Sequence, residues 1–209
     1  EIEIEILNAL GNVYLDLQVY DSAYTYYQIG LQLAVSKNQD YLKSTILSNI
    51  GEIYRELNDY DSAIDLYQMS IAGLSEEKDL DRKIYPLSNI AAVYLAQKNY
   101  NKAEEYALLS LDLARQCQDK IVESVSLKYL GIIACEQHRY NQAIEFLNKS
   151  LSIYSETKEI LLSMEVLFEL HQVYRDQNDI NHALIYLNEI ILNAEQINAD
   201  HILAKAYKR

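Results

Sequence analysis

Histidine and cysteine, the side chains most used in metal binding and nucleophilic catalysis, are few in this sequence and are not clustered. They are His138, His171, His182, His201, Cys117 and Cys135. We find no HExxH or CxxC motif, no glycine-rich phosphate loop and no nucleophile elbow. Acidic residues are abundant, but paired carboxylates on solvated surfaces do not indicate acid–base catalysis. The sequence therefore predicts no enzymatic activity, no metal site and no cofactor.

The charge of the chain argues against two classes of partner. Its 31 acidic and 18 basic residues leave a net charge of -13. Direct nucleic-acid binding requires a basic stripe, and anionic membrane surfaces also attract basic segments. No apolar run approaches the roughly 18 residues of a membrane helix, and no signal-peptide pattern is present. Two unclustered cysteines are typical of free thiols in a reducing compartment, so we expect a cytoplasmic protein.

The positions that would carry a binding surface are set by an internal repeat. The stretch IGEIYRELNDYDSAIDLYQMS begins at Ile50, and related stretches begin at Leu10, Ile90, Leu130 and Leu170, a period of about 40 residues. Such self-similarity is the signature of a stacked-repeat architecture. In this frame the acidic and polar residues vary, whereas the apolar and small residues recur.

Each repeat predicts two helices that approach closely. A small residue recurs in the first helix, and an alanine recurs early in the second. The small residues are Gly11, Gly51, Ala91 and Gly131, with His171 as the exception, and the alanines are Ala23, Ala63, Ala103, Ala143 and Ala183. Glycine within a helix costs about 1 kcal/mol relative to alanine, so its recurrence indicates close contact with a second helix.

Three further features concern where the helices begin. The alternating segment EIEIEIL from Glu1 would predict a strand if met alone, but the repeat frame predicts a helix. Pro86 predicts that its helix either starts near Tyr85 or bends there. The second helix of each repeat is expected to be capped by an Asp or Asn side chain. These are Asp21, Asp61, Asn101, Asn141 and Asn181.

The repeat resembles the tetratricopeptide repeat. The small residue, the aromatic residue three positions later, the tyrosine of the turn and the alanine recur together, for example as Gly51, Tyr54, Tyr60 and Ala63. The resemblance implies an all-α, right-handed α-solenoid of antiparallel helix pairs. Two departures are a unit of about 40 residues rather than roughly 34 residues and the absence of the family's usual proline. The longer unit is found in a subclass of signalling and scaffold proteins.

We expect a single array over residues 1–209. Its units lie approximately at 4–43, 44–83, 84–123, 124–163 and 164–203, with a truncated sixth at 204–209. Polar stretches such as the one from Ser75 to Asp81 should connect them. Neither end shows the polar capping helix of natural solenoids, which suggests a fragment of a longer protein.

The resemblance implies a concave groove lined by the first helix of each unit. The residues it assigns to a partner-binding site are Asn49, Glu52, Arg55, Tyr85, Asn89, Leu95, Tyr129, Ile132 and Glu136. Acidic residues outnumber basic ones in this groove, and its middle is aromatic and aliphatic. Two interpretations remain open for the apolar part, a contact surface or packing between repeats. Likewise, the two asparagines either bind a ligand backbone or are simply solvated.

The predicted function is a protein- or peptide-binding module for a basic or amphipathic segment. The family's carboxylate clamp for chaperone tails is rejected, because Tyr85 and Asn89 occupy the positions where that site requires cations. An alternative is a regulatory sensor domain of a larger bacterial signalling protein. Its output would be a diguanylate cyclase, kinase or helix-turn-helix domain. A third possibility is self-association through the uncapped ends.

Overall fold

The computed structural model describes residues 1–75 and 79–207, and every regular element in these ranges is an α-helix. The helices are α1 (Ile2–Asp16), α2 (Tyr20–Ser36), α3 (Asp40–Glu56), α4 (Tyr60–Ala72), α5 (Leu80–Ala96), α6 (Tyr100–Gln116), α7 (Lys120–Glu136), α8 (Tyr140–Thr157), α9 (Ile160–Asp176), α10 (Ile180–Gln196) and α11 (Asp200–Ala206). The segment from Glu1 is thus helical, as the repeat frame predicted. Residues 76–78 of the expected polar connection and 208–209 of the expected sixth unit lie outside the described residues.

The chain forms two compact units, Glu1–Cys117 with α1 to α6 and Gln118–Arg209 with α7 to α11. Within each unit consecutive helices pack on one another. The first helices of neighbouring repeats also touch, α1 with α3, α3 with α5, and α7 with α9. From the second repeat onward, the first helix of each repeat begins a few positions before the expected unit boundary, at 40, 80, 120, 160 and 200.

Short turns end the helices in a uniform way. In the described part of the chain, a left-handed backbone with φ between 53° and 61° occurs at the non-glycine residues Gln18, Asn38, Asn58, Lys98, Gln118, His138, Lys158, Asn178 and Asn198. At Asn58 the backbone N–H donates to Arg55 O at 3.0 Å, and the next N–H, of Asp59, donates to Tyr54 O at 2.9 Å. Such a left-handed residue satisfies the last carbonyl groups of the helix. The same turn therefore ends the first helices of the five repeats and the second helices α2, α6, α8 and α10, whereas α4 ends at Ala72, next to a right-handed Gly73.

The expected capping position was wrong by two positions. In α4 the capping side chain is Asp59, which accepts from the backbone N–H of Ser62 at 3.3 Å. Asn99 and Asp179 act in the same way on α6 and α10. Asp61 is instead the second residue of α4, where its negative charge interacts favourably with the positive end of the helix dipole.

The recurrent small residue makes room for a side chain of the partner helix. A Cβ at Gly51 would lie 2.8 Å from the ring of Tyr67, and one at Gly131 would lie 2.6 Å from Leu147. The recurrent alanine also limits the space at this position through its backbone, since Ala143 O would lie 3.4 Å from a Cβ at Gly131. The close approach was predicted correctly, but its main partner is a ring or a branched side chain.

The other repeats vary the same pair of positions. In the third repeat both members are alanine, Ala91 and Ala107, and both are fully buried. In the fifth, His171 is 3% exposed and its Nδ1 lies 2.9 Å from Ala183 O. His171 is therefore a core residue held by a backbone hydrogen bond, as expected for a side chain in the packing position.

Pro86 lies inside α5, which begins at Leu80, so the helix does not start near Tyr85. Proline has no backbone N–H and cannot donate to the carbonyl four positions earlier. The carbonyl of Arg82 therefore lacks its helical donor.

Candidate binding groove

Six of the nine predicted site residues lie in the first unit. Asn49, Glu52 and Arg55 are on α3, spaced by three positions and so on one face of the helix. Tyr85, Asn89 and Leu95 are on α5. The two helices contact each other.

A cleft of about 390 Å³ opens between α3 and α5. It brings together three predicted residues, Asn49, Tyr85 and Asn89. Tyr85 is 54% exposed, so about half of this residue is accessible at the surface. The remaining lining residues are Tyr41, Ser44, Thr45, Ser48, Asp81, Arg82 and Pro86.

Asn49 is held by its neighbours on α1. Its Nδ2 donates to Asn8 Oδ1 at 2.8 Å and to Asn12 Oδ1 at 3.1 Å. Asn12 Oδ1 in turn accepts from the hydroxyl of Tyr27 at 2.7 Å. The amide of Asn49 is thus oriented by a network, and its own oxygen is left to accept.

Glu52 and Arg55 form a second network on α3. Arg55 Nε donates to Glu52 Oε1 at 2.9 Å, and its Nη2 donates to Glu56 Oε1 at 2.6 Å. The buried Tyr67 reaches past Gly51 and donates its hydroxyl to Glu52 Oε2 at 2.7 Å. Burial, with the nearby Glu52 carboxylate, raises the pKa of Tyr67, and the hydrogen bond to Glu52 raises the pKa of Arg55. Glu52, Arg55 and Glu56 together carry a net charge of -1.

The other three predicted residues, Tyr129, Ile132 and Glu136, lie on α7 in the second unit. Tyr129 and Ile132 are half-buried and Glu136 is exposed. Next to them Lys128 Nζ donates to Glu165 Oε2 on α9 at 2.6 Å. Burial opposes the charge of Lys128, but the hydrogen bond to Glu165 and the negative charge of Glu165 act together with smaller contributions from Tyr129 and Tyr154, and the Lys128 pKa is raised. This ion pair ties the first helices of two repeats together.

Sequence reasoning missed the interaction of Cys135 with Asp176, which joins α7 to α9 at 3.7 Å between Sγ and Oδ2. Burial, aided by the Asp176 carboxylate, raises the pKa of Cys135 to about 12. The thiol is therefore a poor nucleophile. Cys135 and Asp176 are separated by one repeat length plus one position, and this spacing was the signal in the sequence that could have predicted their contact.

Sequence reasoning also missed Tyr41 and Arg82 as cleft residues. The Arg82 guanidinium lies 3.9 Å from the centre of the Tyr41 ring and forms an ion pair with Asp79. Arg82 lies one helical turn before Tyr85 and Tyr41 lies about two turns before Asn49, so both fall outside the positions that the resemblance assigned.

Residues 1–75 and 79–207 contain no group of three or more His, Cys, Asp or Glu side chains placed to hold a metal ion. In the same ranges, none of the helices has the length and apolar character needed to cross a membrane.

Solved structures with the same fold share little sequence with this chain. RapI in its apo form has a TM-score of 0.83 at 19% identity, covering 98% of this chain and 74% of that one. A Rap protein complexed with Competence and Sporulation Factor has a TM-score of 0.85 at 15% identity, covering 98% and 57%. The third is a signal-transduction ATPase with numerous domains from Pyrococcus horikoshii, described as having a tetratricopeptide repeat sensor. It has a TM-score of 0.75 at 17% identity, covering 93% and 30%.

At such identities these likenesses concern the fold alone, and the predicted class, an α-solenoid of helix pairs, is confirmed by them. No curated protein sequence matches the chain significantly. The family model for the tetratricopeptide repeat matches residues 3–76 and 84–156, more than half of the chain. With its helix pairs, its small packing residues and this match, the chain belongs to the tetratricopeptide repeat family.

Proposed function

We propose that this chain is a protein- or peptide-binding module that receives a basic or amphipathic segment along the first helices of its repeats. The observation that carries the proposal is the α3–α5 cleft, where a half-exposed tyrosine stands beside two asparagines. A pre-oriented amide loses little conformational freedom when a ligand binds. Tyrosine adds large contact area for only two rotatable bonds.

Charge supports a basic partner. Glu52 and Glu56 share one cation, Arg55, in the first unit. In the second unit the predicted groove residue Glu136 lies on α7, and Asp176 on the neighbouring α9 adds a second negative charge. Complementary charge accelerates association and favours basic partners over acidic ones.

The names of the similar structures agree with a recognition role. The family is generally a non-catalytic interaction fold, and one neighbour is a Rap protein complexed with a factor. Another is named as aspartyl phosphate phosphatase F from Bacillus subtilis, of which this chain covers 54%. We propose that this chain binds without catalysis, and we expect no release of phosphate from acetyl phosphate above the spontaneous rate.

Peptide display on the purified protein would test the proposal. Peptides that bind the groove should lose about tenfold or more in affinity to the variants Tyr85→Ala and Tyr129→Ala, because buried aromatic anchors dominate such interfaces. Leu108→Ala is the control, since Leu108 is 49% exposed on α6, a second helix of a repeat. Circular dichroism should show unchanged helicity. Affinities unaffected by both tyrosine variants would contradict the groove as the binding site.

An alternative role as the sensor domain of a larger bacterial signalling protein is favoured by one observation. The signal-transduction ATPase from Pyrococcus horikoshii, of which this chain covers 30%, is described as having a tetratricopeptide repeat sensor. The neighbouring coding sequence would decide between the two roles. A cyclase, kinase or helix-turn-helix domain would support the sensor, and a plain continuation of repeats would not.

Self-association is proposed through an apolar stripe on α1. Ile2, Ile6 and Val13 are each more than half exposed, whereas the equivalent Ile46 and Ile53 of α3 are buried. Sedimentation should show a mass that rises with concentration and that Ile6→Glu abolishes. A constant monomer mass would exclude this contact.

A further inference from the structure

We propose that Tyr27 and Tyr67, which are buried in the second helices α2 and α4, are positioning residues of the binding groove. Their hydroxyl groups fix which polar atoms the side chains of α1 and α3 offer to a bound segment. This assignment rests on the proposed binding function and concerns its specificity.

A glycine on the first helix lets each tyrosine reach across that helix. A Cβ at Gly11 would clash with the ring of Tyr27. A Cβ at Gly51 would lie 2.8 Å from the ring of Tyr67. Both rings are fully buried, yet each hydroxyl bonds to the residue that follows the glycine. A side chain of the second helix therefore contacts a polar residue of the first.

The later repeats lack this hydroxyl and differ at the residue that it would contact. In the third and fourth repeats the second helix supplies Ala107 and Leu147 at the tyrosine position. The residues that follow their small partners are apolar, Ala92 and Ile132. In the fifth repeat the equivalent Gln172 donates to a carboxylate of its own helix at 2.8 Å. A tyrosine at this position thus occurs only in the first two repeats.

The hydroxyl of Tyr27 determines the orientation of an asparagine pair. It donates to Asn12 Oδ1 at 2.7 Å, and the same oxygen accepts from Asn49 Nδ2 at 3.1 Å. An amide oxygen has two lone pairs, so Asn12 has only its amino group left to offer. Asn49 Nδ2 also donates to Asn8 Oδ1 at 2.8 Å, which leaves Asn49 its oxygen. The exposed Asn12 therefore presents a donor, and the neighbouring Asn49 presents an acceptor.

The hydroxyl of Tyr67 acts on a carboxylate. It donates to Glu52 Oε2 at 2.7 Å, while Arg55 Nε donates to Glu52 Oε1 at 2.9 Å. Glu52 is therefore held on both oxygens, by the second helix and by its own helix. Burial raises the pKa of Tyr27 and of Tyr67, so each hydroxyl keeps its proton and stays a donor at neutral pH.

The loss of each hydroxyl should alter recognition in its own way. Without the Tyr27 hydroxyl the Asn12 amide can rotate, so the donor and the acceptor must be ordered when a segment binds, which weakens binding. Without the Tyr67 hydroxyl, Glu52 Oε2 has lone pairs that a donor of the segment can fill. Charge-assisted hydrogen bonds are the stronger ones, so arginine and lysine gain most.

Phenylalanine variants test the assignment, because they keep each ring beside its glycine and remove only the hydroxyl. The probe is the peptide that display on the natural chain ranks first. Tyr27→Phe should weaken this peptide about fivefold. When the selection is repeated on Tyr67→Phe, the frequency of arginine and lysine should rise about twofold. Circular dichroism should show unchanged helicity in both variants.

Matched controls remove a hydroxyl from the same helices. On α2 the control is Tyr26→Phe, since the Tyr26 ring stacks on Tyr14 with 5.3 Å between ring centres. On α4 the control is Tyr60→Phe, since the Tyr60 hydroxyl donates to Asn58 Oδ1 in the preceding turn at 2.9 Å. Both controls should leave the affinity and the residue preference unchanged.

Two results would overturn the assignment. Equal affinities of Tyr27→Phe and Tyr26→Phe for the probe would refute it for Tyr27. The same residue preference in selections on Tyr67→Phe and Tyr60→Phe would refute it for Tyr67, because a merely structural role lowers affinities without changing which residues are preferred.

The protein without peptide provides a separate readout. In NMR, hydrogen exchange of the Asn49 side-chain amide should accelerate several-fold in Tyr27→Phe and not in Tyr26→Phe. If peptides bind through Tyr85 but both variants behave as their controls, the positioning is wrong and the groove function stands. If no peptide binds, the groove function fails, and unchanged Asn49 exchange would then also refute the orienting role of Tyr27.

Discussion

Replacement of Gly51 by alanine should destabilise this protein, although alanine is the better helix former. The added Cβ would lie 2.8, 3.0 and 3.2 Å from three atoms of the Tyr67 ring. That ring is fully buried, and its hydroxyl is bonded to Glu52, so it cannot move aside freely. Overpacking costs about 1–3 kcal/mol, whereas the gain in helix propensity is about 1 kcal/mol. We expect a net loss of roughly 1 kcal/mol.

Two comparisons isolate the steric cause. Gly73→Ala should instead stabilise by about 0.4–1 kcal/mol, because φ is -88° and nothing lies within 4 Å of the added Cβ. In a Tyr67→Ala background, Gly51→Ala should become stabilising by about 1 kcal/mol. That double variant reproduces the natural pair of Ala91 and Ala107.

Urea unfolding followed by far-ultraviolet circular dichroism measures these differences. A further arm, Ala91→Gly, does not depend on the Tyr67→Ala background. It should destabilise by about 1 kcal/mol, since Ala107 already leaves room for the methyl group. The reasoning is refuted if Gly51→Ala is stabilising in the natural background, or if its effect is the same with and without the Tyr67 ring.

Two other predictions concern local contacts. Asp59→Ala should lower the free energy of unfolding by about 1 kcal/mol, because it removes the side chain that accepts a hydrogen bond from Ser62 N–H. Asp61→Ala should change the free energy of unfolding by less than half as much, because Asp61 interacts only with the helix dipole. Equal losses in urea unfolding would contradict the placement of the cap at Asp59. The pKa of Cys135 is raised to about 12, so little thiolate is present at pH 8 and iodoacetamide should modify this cysteine slowly. Asp176→Asn should accelerate the reaction, because it removes a negative charge that disfavours the thiolate. Mass spectrometry of the native protein would measure both rates, and rapid labelling that is indifferent to Asp176 would show the interaction to be absent.

The sequence was sufficient for the helical repeat because the signals that specify it are local and periodic. A small residue and an apolar face at helical spacing determine a helix wherever they occur, and comparison with the later repeats corrected the strand-like start at Glu1. Periodicity was less able to locate helix ends. The frame placed the caps two positions late, because both Asp59 and Asp61 are chemically suitable and only backbone conformation distinguishes them.

For the groove, the sequence indicated which helix positions differ in residue type between repeats. The structure places three of the residues predicted there, Asn49, Tyr85 and Asn89, around one cleft. The positions of Tyr129, Ile132 and Glu136 as binding residues remain predictions. Arg82 and Tyr41 could not be assigned, since their stacking depends on the distance between α3 and α5.

By itself the sequence determined the family, the helix pairs and the acidic character of the chain, because these depend on residue type and period. Tertiary structure alone decided which donors are already used, since the contacts join residues far apart in the chain, as Asn49 with Asn12 and Lys128 with Glu165. Whether a side chain offers a donor or an acceptor to a partner depends on what its neighbours have taken. That is a property of packing, and periodicity does not encode it.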